Sequence, residues 1–547
     1  MMQDAGAELV DIIKSEKNFI DKKIAVNNTP FLFIDLIKAI DYYWLCPYEN
    51  KDNFEGFIQY GFPVFLKQFY LTSNFKADSL PIHHSSSDSL SFCHYYLWMY
   101  GKCKLLERYV RLASQKEVSI ARNTPTEFTI EADSCHLEYV ENRSLDEYFK
   151  VIRESVLKNK IADLDKINNL ILKSLDSRVE AWKKDYIRYD SSPDIDDYYY
   201  QTGYVALATS QLYDDFNDDF TFGNITYKHI LDVIQSVMGV ALKHIDACML
   251  LLDKSPQTKI YNILSIPFLP EELYSSYSNY LGIDKDEVKQ IFDLLIVSPE
   301  NIDDHLSSEK DFSPPFIKIG NKFIYRSIKG CLRSPVLFVQ NELKRKYPKD
   351  YFRWINEREK IFRDQLYNLF SSDRFIKVNR NIEINSNGIR TDIDAAIFDT
   401  QTKSLSIFQL KWQDKFASDM QARKSRIANF YPKAKEWIDK IDSWKSENTS
   451  KNILSALNIK GNDISVIYLF VIGRYNTHFS NQEIDKRAAW GSWYHVVELM
   501  HKIRTNFDNP VQELHFKLQL DSPMNKKLDV TTEKLEFSNY LITWNYK

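Results

Sequence analysis

The sequence predicts an α+β chain of several domains, with a mostly α-helical N-terminal region followed by a smaller α/β core. That core is expected to run helix, three-stranded meander, helix, strand. Three observations predict this. Apolar residues at three- and four-residue spacing dominate positions 1 to about 300. Short apolar runs bounded by polar turns replace them after residue 350. Between the two, "SPENIDDHLSSEKDFSPPF" at 298–316 gathers Pro, Ser and charge, as a domain boundary does. The expected domains are therefore 1–300, with a split near residue 140, then a linker and small hairpin at 301–350, then 351–547.

Each element has its own signal. Residues 144–187 show helical spacing, with Ser144 and Glu147 in capping-box positions. Residues 225–253 form a second long helical pattern, apolar enough to be buried. "PIHHSSSDSLS" at 81–91 reads as a loop. "FIKIGNKFIYRS" reads as a hairpin turning at Gly320-Asn321, and 351–370 as a helix. "RFIKVNRNIEI" (374–384) reads as a strand, followed by a turn at "NSNG". "TDIDAAIFD" and "SLSIFQLKW" follow as two strands joined by the turn "TQTK". A helix of roughly thirty residues covers "ASDMQARKSRIANFYPKAKEWIDKIDSWKS", bent near Pro432. "DISVIYLFVIG" supplies a buried strand, and the long helix before it permits a crossover.

Composition narrows the function classes. The chain has 547 residues, 44% hydrophobic and 27% charged, with a net charge of −4. That balance gives no global attraction for nucleic acid, so any such affinity must be local. Six scattered cysteines without a CxxC pair are no disulfide framework, and a reducing cytoplasm is the expected compartment. The N-terminus lacks the basic and apolar regions of a signal peptide. No apolar run reaches the ~18 residues that would suggest a membrane span, so no membrane partner is expected. No P-loop, GxGxxG, HExxH or GxSxG is present. His83, His84, Cys93, His94 and Cys103 cluster in sequence, but their spacing matches no standard zinc module.

The stretch "TDIDAAIFDTQTKSLSIFQLKW" (391–412) carries the chemistry. Strand side chains alternate faces, so Asp392 and Asp394 share one face, opposite Ile393, Ala395 and Ile397. Gln409 and Lys411 likewise share a face, opposite Phe408, Leu410 and Trp412. Paired antiparallel across "TQTK", the two strands bring acids, an amide and a cation to one sheet edge. Charge buried there is costly unless it is paired or binds metal. Carboxylate and amide oxygens suit a hard divalent ion, and a nearby lysine can orient or deprotonate a water.

These residues resemble the motif of the PD-(D/E)XK nuclease superfamily of restriction and repair nucleases. Its core has the element order read above, with an Asp opening the second strand and Glu or Gln, any residue and Lys on the third. Asp394 and "QLK" at 409–411 stand in those places, in the Gln form similar to the Mrr-like restriction nucleases. The resemblance covers about residues 351–475. It implies that Asp394, Gln409 and the backbone carbonyl of Leu410 hold Mg²⁺ or Mn²⁺, and that Lys411 acts on the attacking water. It also implies an acid on the preceding helix, Glu359 before Glu357. The Pro that usually precedes the Asp is absent, and Asp392 is the alternative to Asp394.

The expected activity is metal-dependent hydrolysis of DNA phosphodiester bonds, in a restriction or anti-phage role. The alternatives are a repair or recombination nuclease, or a non-catalytic nucleic-acid-binding protein on the same fold. DNA is the expected partner and RNA a second candidate, with residues 1–300 as a sensor, regulatory or substrate-recognition region through which a protein trigger or partner could act. Positions 341–450 carry 22 Lys and Arg against 16 Asp and Glu. Arg423, Lys424, Arg426, Lys433 and Lys435, with Phe430, Tyr431 and Trp437 among them, are expected to meet the nucleic acid. His478 and His495 are lesser candidates. The stretch from Asp190 to Phe220, with eight Asp and no Lys or Arg, reads as a solvated acidic loop.

Overall fold

The computed structural model describes residues 5–46, 54–72, 82–132, 157–210, 216–307, 312–413 and 420–546, less 28, 117, 184, 380–381, 387, 480–481, 504–507 and 523–530. The fold is mixed α+β and divides into two compact units. The first comprises Met1–Leu112, Ile152–Trp354 and Phe537–Asn539, and the second Ala113–Val151, Ile355–Glu536 and Tyr540–Lys547. The division therefore falls inside the helix Pro348–Asn368, where the composition of 298–316 had suggested an earlier boundary. The split expected near 140 lies outside the described residues.

The first unit is mostly helical. Its central helix, Tyr227–Lys254, starts where the Thr226 hydroxyl accepts a hydrogen bond from His229 N. This helix is long and apolar enough to cross a membrane, yet 67% of its apolar window is buried inside the protein, as in a core helix. The helix Pro193–Ser210 packs on it at two glycines. A Cβ on Gly203 would lie 2.3 Å from Gln235 O, and one on Gly239 2.3 Å from Tyr199 O. Only hydrogen at these positions lets the two backbones meet.

Several sequence expectations shift here. The pattern at 144–187 is helical over Lys158–Asp176, then turns into a hairpin of Val179–Trp182 and Tyr186–Tyr189. Ser144 and Glu147 lie outside the described residues. The stretch read as an acidic loop is the helix Pro193–Ser210 over much of its length. There Asp196 pairs with Lys243 at 2.5 Å, and Asp197 accepts from the Tyr280 hydroxyl at 3.0 Å. The hairpin at Gly320 forms as expected, with Phe316–Ile319 opposite Phe323–Arg326. It is the middle of a four-stranded sheet of the first unit, and its apolar residues are buried, so 301–350 is more than a linker.

The second unit is built on a five-stranded sheet. Its spatial order is Phe375–Lys377, Ala395–Asp399, Ser404–Lys411, Val466–Gly473, Ala488–Ser492. The first three strands form an antiparallel meander, and the last two run parallel to the third. The helix Pro348–Asn368 precedes the meander, and Met420–Glu447 connects its third strand to the parallel fourth. Leu405, Ile407, Ala396, Phe398, Leu469 and Val471 share a core with Phe430, Ala434, Trp437 and Ile441 of that connecting helix. Helix, meander, helix and strand thus follow in the expected order.

Two expected strands are each broken. The first is Phe375–Lys377 in the sheet, with Ile382–Ser386 outside it in a two-stranded ribbon with Ile389–Ile393. That ribbon turns at Gly388, whose φ of 81° favours glycine. The second is interrupted at Asp394, a bend between Ile389–Ile393 and Ala395–Asp399. A further sheet joins Ser119–Thr124, Glu127–Ala132, Tyr540–Tyr546 and Thr531–Phe537.

Candidate active site

The bend at Asp394 has a local cause. Ala395 pairs with Phe408, so a continuing ladder would bring the Ile393 carbonyl to the Leu410 N–H. The Asp394 carboxylate takes that N–H instead, at 2.7 Å from Oδ2. The Gln409 amide donates to the same oxygen, and the Lys411 ammonium lies 4.0 Å from it. N–H and C=O of one strand residue point the same way across a sheet, so the Leu410 carbonyl also faces this edge. Gln409 and Lys411 have the parity of Leu405 and Ile407, so they extend the face that the helix Met420–Glu447 covers, and Asp394 meets them from the bend. Alternation breaks there, since Ile393 packs with Ala396 and Phe398 instead of on the expected face of Ala395 and Ile397.

Asp394 is 6% exposed and Gln409 3%, whereas Lys411 is partly open and Asp392 and Glu359 are exposed. Burial lifts the Asp394 pKa to about 6. The Lys411 charge and the Leu410 N–H pull it down, while Glu359 and Asp392 push it up. Both flanking acids therefore act on Asp394. Asp392 itself pairs in register with Glu383 in the ribbon, and its carbonyl accepts from Trp437 Nε1 at 2.7 Å.

The donors that converge are all oxygen: a deep carboxylate, an amide and a backbone carbonyl, with Glu359 and Asp392 exposed outside them. Among the described residues no group of three or more His, Cys, Asp and Glu side chains is placed to hold a metal. Such a set fits Mg²⁺ or Mn²⁺, because Mg²⁺ commonly keeps several waters and takes one or two carboxylates.

The basic residues of the helix Met420–Glu447 separate. Lys424, Lys433 and Lys435 are exposed and Arg426 is half-buried. Arg423 is 4% exposed and lies over the Phe479 ring, which removes it from the expected nucleic-acid surface. Its position explains this, because 423, 427, 430, 434 and 437 follow one helical stripe toward the sheet. Phe430, Tyr431 and Trp437 are core residues for the same reason, with the Tyr431 hydroxyl donating to Thr477 O at 2.9 Å. His478 is buried and hydrogen-bonded with Ser522, and His495 lies in the helix Trp493–Ile503. In the first unit, His83 faces Asp35 at 3.3 Å, the His94 ring lies tilted against Tyr43 and the Cys93 thiol reaches Leu32 O. All five described cysteines are free.

Sequence reasoning missed Arg474. It follows Gly473, the register partner of Lys411, and its N–H donates to Lys411 O at 2.9 Å. Its buried guanidinium lies 4.3 Å from the Trp412 ring centre and donates to Gln365 Oε1 at 2.6 Å. It thereby fixes the end of the strand that carries Lys411. The signal was an arginine placed directly after the apolar run "VIYLFVIG". No protein-family model, curated protein or solved structure matches the chain.

Proposed function

We propose that the second unit is a metal-dependent nuclease that hydrolyses phosphodiester bonds of DNA, of the PD-(D/E)XK kind and in a restriction or anti-phage role. The observation that carries this reading is the convergence of Asp394, Gln409 and Lys411 at one sheet edge, with Glu359 and Asp392 acting on Asp394. An apolar core has no use for a carboxylate held near neutrality by burial, whereas a cation site does. Asp394, the Gln409 side-chain oxygen and the Leu410 carbonyl would hold Mg²⁺ or Mn²⁺, with Glu359 at the rim. A divalent ion there supplies charge neutralisation of the scissile phosphate and a more acidic bound water.

The chain's own groups do the rest. Lys411, beside Asp394, orients the attacking water and offsets negative charge that develops on the phosphate. Arg474 and Trp412 hold the strand end so that the ammonium stays on the site's face. Lys424, Lys433 and Lys435 offer phosphate contacts on the exposed side of the following helix.

The test is incubation of the full chain with supercoiled plasmid, linear DNA and RNA, with and without Mg²⁺ or Mn²⁺. Nicking that needs the ion and is lost in Lys411→Ala is the expected result, and the RNA arm reads substrate preference. No cleavage of any substrate by the wild-type chain, or equal cleavage by the variant, rejects the nuclease and leaves a binding scaffold.

A further inference from the structure

The first unit contains a cavity of about 520 Å³, within the ~300–1,000 Å³ range of small-molecule sites. It lies among the helices Pro193–Ser210, Tyr227–Lys254 and Pro270–Leu281 and the strand Phe323–Arg326. Tyr199, Lys243, His244, Tyr277 and Arg326 are among its buried lining, and Ser276 and Tyr280 are exposed at its mouth.

Arg326 is the unusual member, because it is 3% exposed and a buried guanidinium calls for a negative partner. Among the described residues no carboxylate lies within ion-pair distance of it, and its Nε and Nη2 have no hydrogen-bond partner. Its orientation is set by a relay. His244 is held neutral by burial, and one ring nitrogen, Nε2, faces the Ile263 carbonyl at 2.7 Å. A carbonyl only accepts, so Nε2 carries the proton and Nδ1 accepts from the Tyr189 hydroxyl at 3.0 Å. The Tyr189 oxygen is then left to accept from Arg326. Lys243 sits on the same wall with Asp196, and Arg188, exposed at the rim, pairs with Glu180 at 3.8 Å. The lining thus holds two buried cations, Arg326 and Lys243, and one carboxylate, which leaves Arg326 to be met by an anion.

We propose that this cavity binds a nucleoside monophosphate, with its base among the tyrosines and its phosphate at Arg326 and Lys243. Flat apolar walls suit a base, and the hydroxyls of Ser236, Tyr200 and Tyr277 suit a ribose. A phosphate offers three oxygens to meet both Arg326 and Lys243, where a carboxylate offers two, which favours phosphate. The inference rests on the first unit alone and is independent of the nuclease reading.

The test is calorimetric titration and thermal unfolding of the full chain with AMP, GMP, CMP and UMP. The corresponding nucleosides, inorganic phosphate and benzoate serve as separate arms. At least one nucleotide should bind and raise Tm, with its nucleoside, phosphate and benzoate each at least about 10-fold weaker, since each lacks one half of the recognition. Arg326→Gln should weaken that binding by about 10-fold or more, the loss of a charged contact. Ser276→Trp, an exposed change at the mouth, should block entry with the fold intact by circular dichroism. Binding of no nucleotide overturns the proposal, as does benzoate binding equal to the nucleotide. So does unchanged nucleotide affinity in Ser276→Trp or in a folded Arg326→Gln.

Discussion

Asp394 is stabilised as a neutral acid by burial and as an anion by Leu410, Gln409 and Lys411, and burial is the larger effect. Its folded pKa of about 6 lies above the ordinary aspartate value of 3.8. A raised acid pKa means that the fold prefers the protonated form. The stability this contributes is full below the unfolded value and is lost as pH rises through about 6. The difference amounts to about 3 kcal/mol above pH 7. Asp394→Asn should therefore raise Tm of the metal-free protein at pH 7.5, have little effect at pH 4, and abolish cleavage. An unchanged or lower Tm at pH 7.5 would mean that the three donors fully satisfy the anion. Added Mg²⁺ should stabilise the wild-type chain and not this variant, with apparent affinity falling as pH drops through about 6. Calorimetry across pH reads both. Asp392→Asn should cost only about 10-fold in rate, on the scale of losing an outer partner. Much of this site was legible. Strand alternation placed Gln409 and Lys411 on one face, but the expected order of faces fails before Ala395, because Ile393 joins the core of Ala396 and Phe398 and not the opposite face with Ala395 and Ile397. The bend that lets a side chain replace the Ile393 carbonyl was not legible, because it depends on which strand lies opposite.

The helix Met420–Glu447 shows how one element divides its charges between packing and solvent. Lys424, Lys433 and Lys435 point away from the core, whereas Arg423 belongs to its buried stripe. Replacing the three lysines with glutamate should weaken nucleic-acid binding and reduce the slope of log affinity against log salt by up to about 3 units, roughly one per lost phosphate contact. Binding titrations at several salt concentrations check this, and an unchanged slope would place the substrate elsewhere. Arg423→Ala should instead lower Tm and leave the salt slope alone. The helical period contained this distinction, since 423 precedes 430 by two turns. The ribbon of Ile382–Ser386 and Ile389–Ile393 was less legible. Its turn at Gly388 stood out, but the same turn also served a meander, and only tertiary packing chooses the partner.

At the scale of the whole molecule, the second unit is not one continuous piece of chain. Residues 127–132 run parallel to 541–546, and Asn545 Nδ2 donates to Glu131 Oε1 at 2.7 Å across 414 positions. Phe128, Ile130, Ile542 and Trp544 are buried at this junction, and the Phe128 and Tyr540 rings lie 5.8 Å apart. Local periodicity reads such strands only one at a time, which is why composition marked a boundary near 298–316 and missed the contribution of Ala113–Val151. A fragment cut at the apparent domain start, 351–547, would lose the partner of Tyr540–Tyr546 and expose an unpaired strand edge carrying Ile542 and Trp544. Each large apolar side chain uncovered costs roughly 1.5–3 kcal/mol, and an open apolar edge invites pairing between chains. The fragment should therefore aggregate when expressed alone. Co-expression with a 113–151 segment should recover soluble protein, because it restores the parallel pairing. Size-exclusion chromatography and thermal unfolding of the two preparations decide the matter. A monomeric 351–547 fragment that unfolds cooperatively without the added segment would show that the terminal sheet is dispensable to this unit.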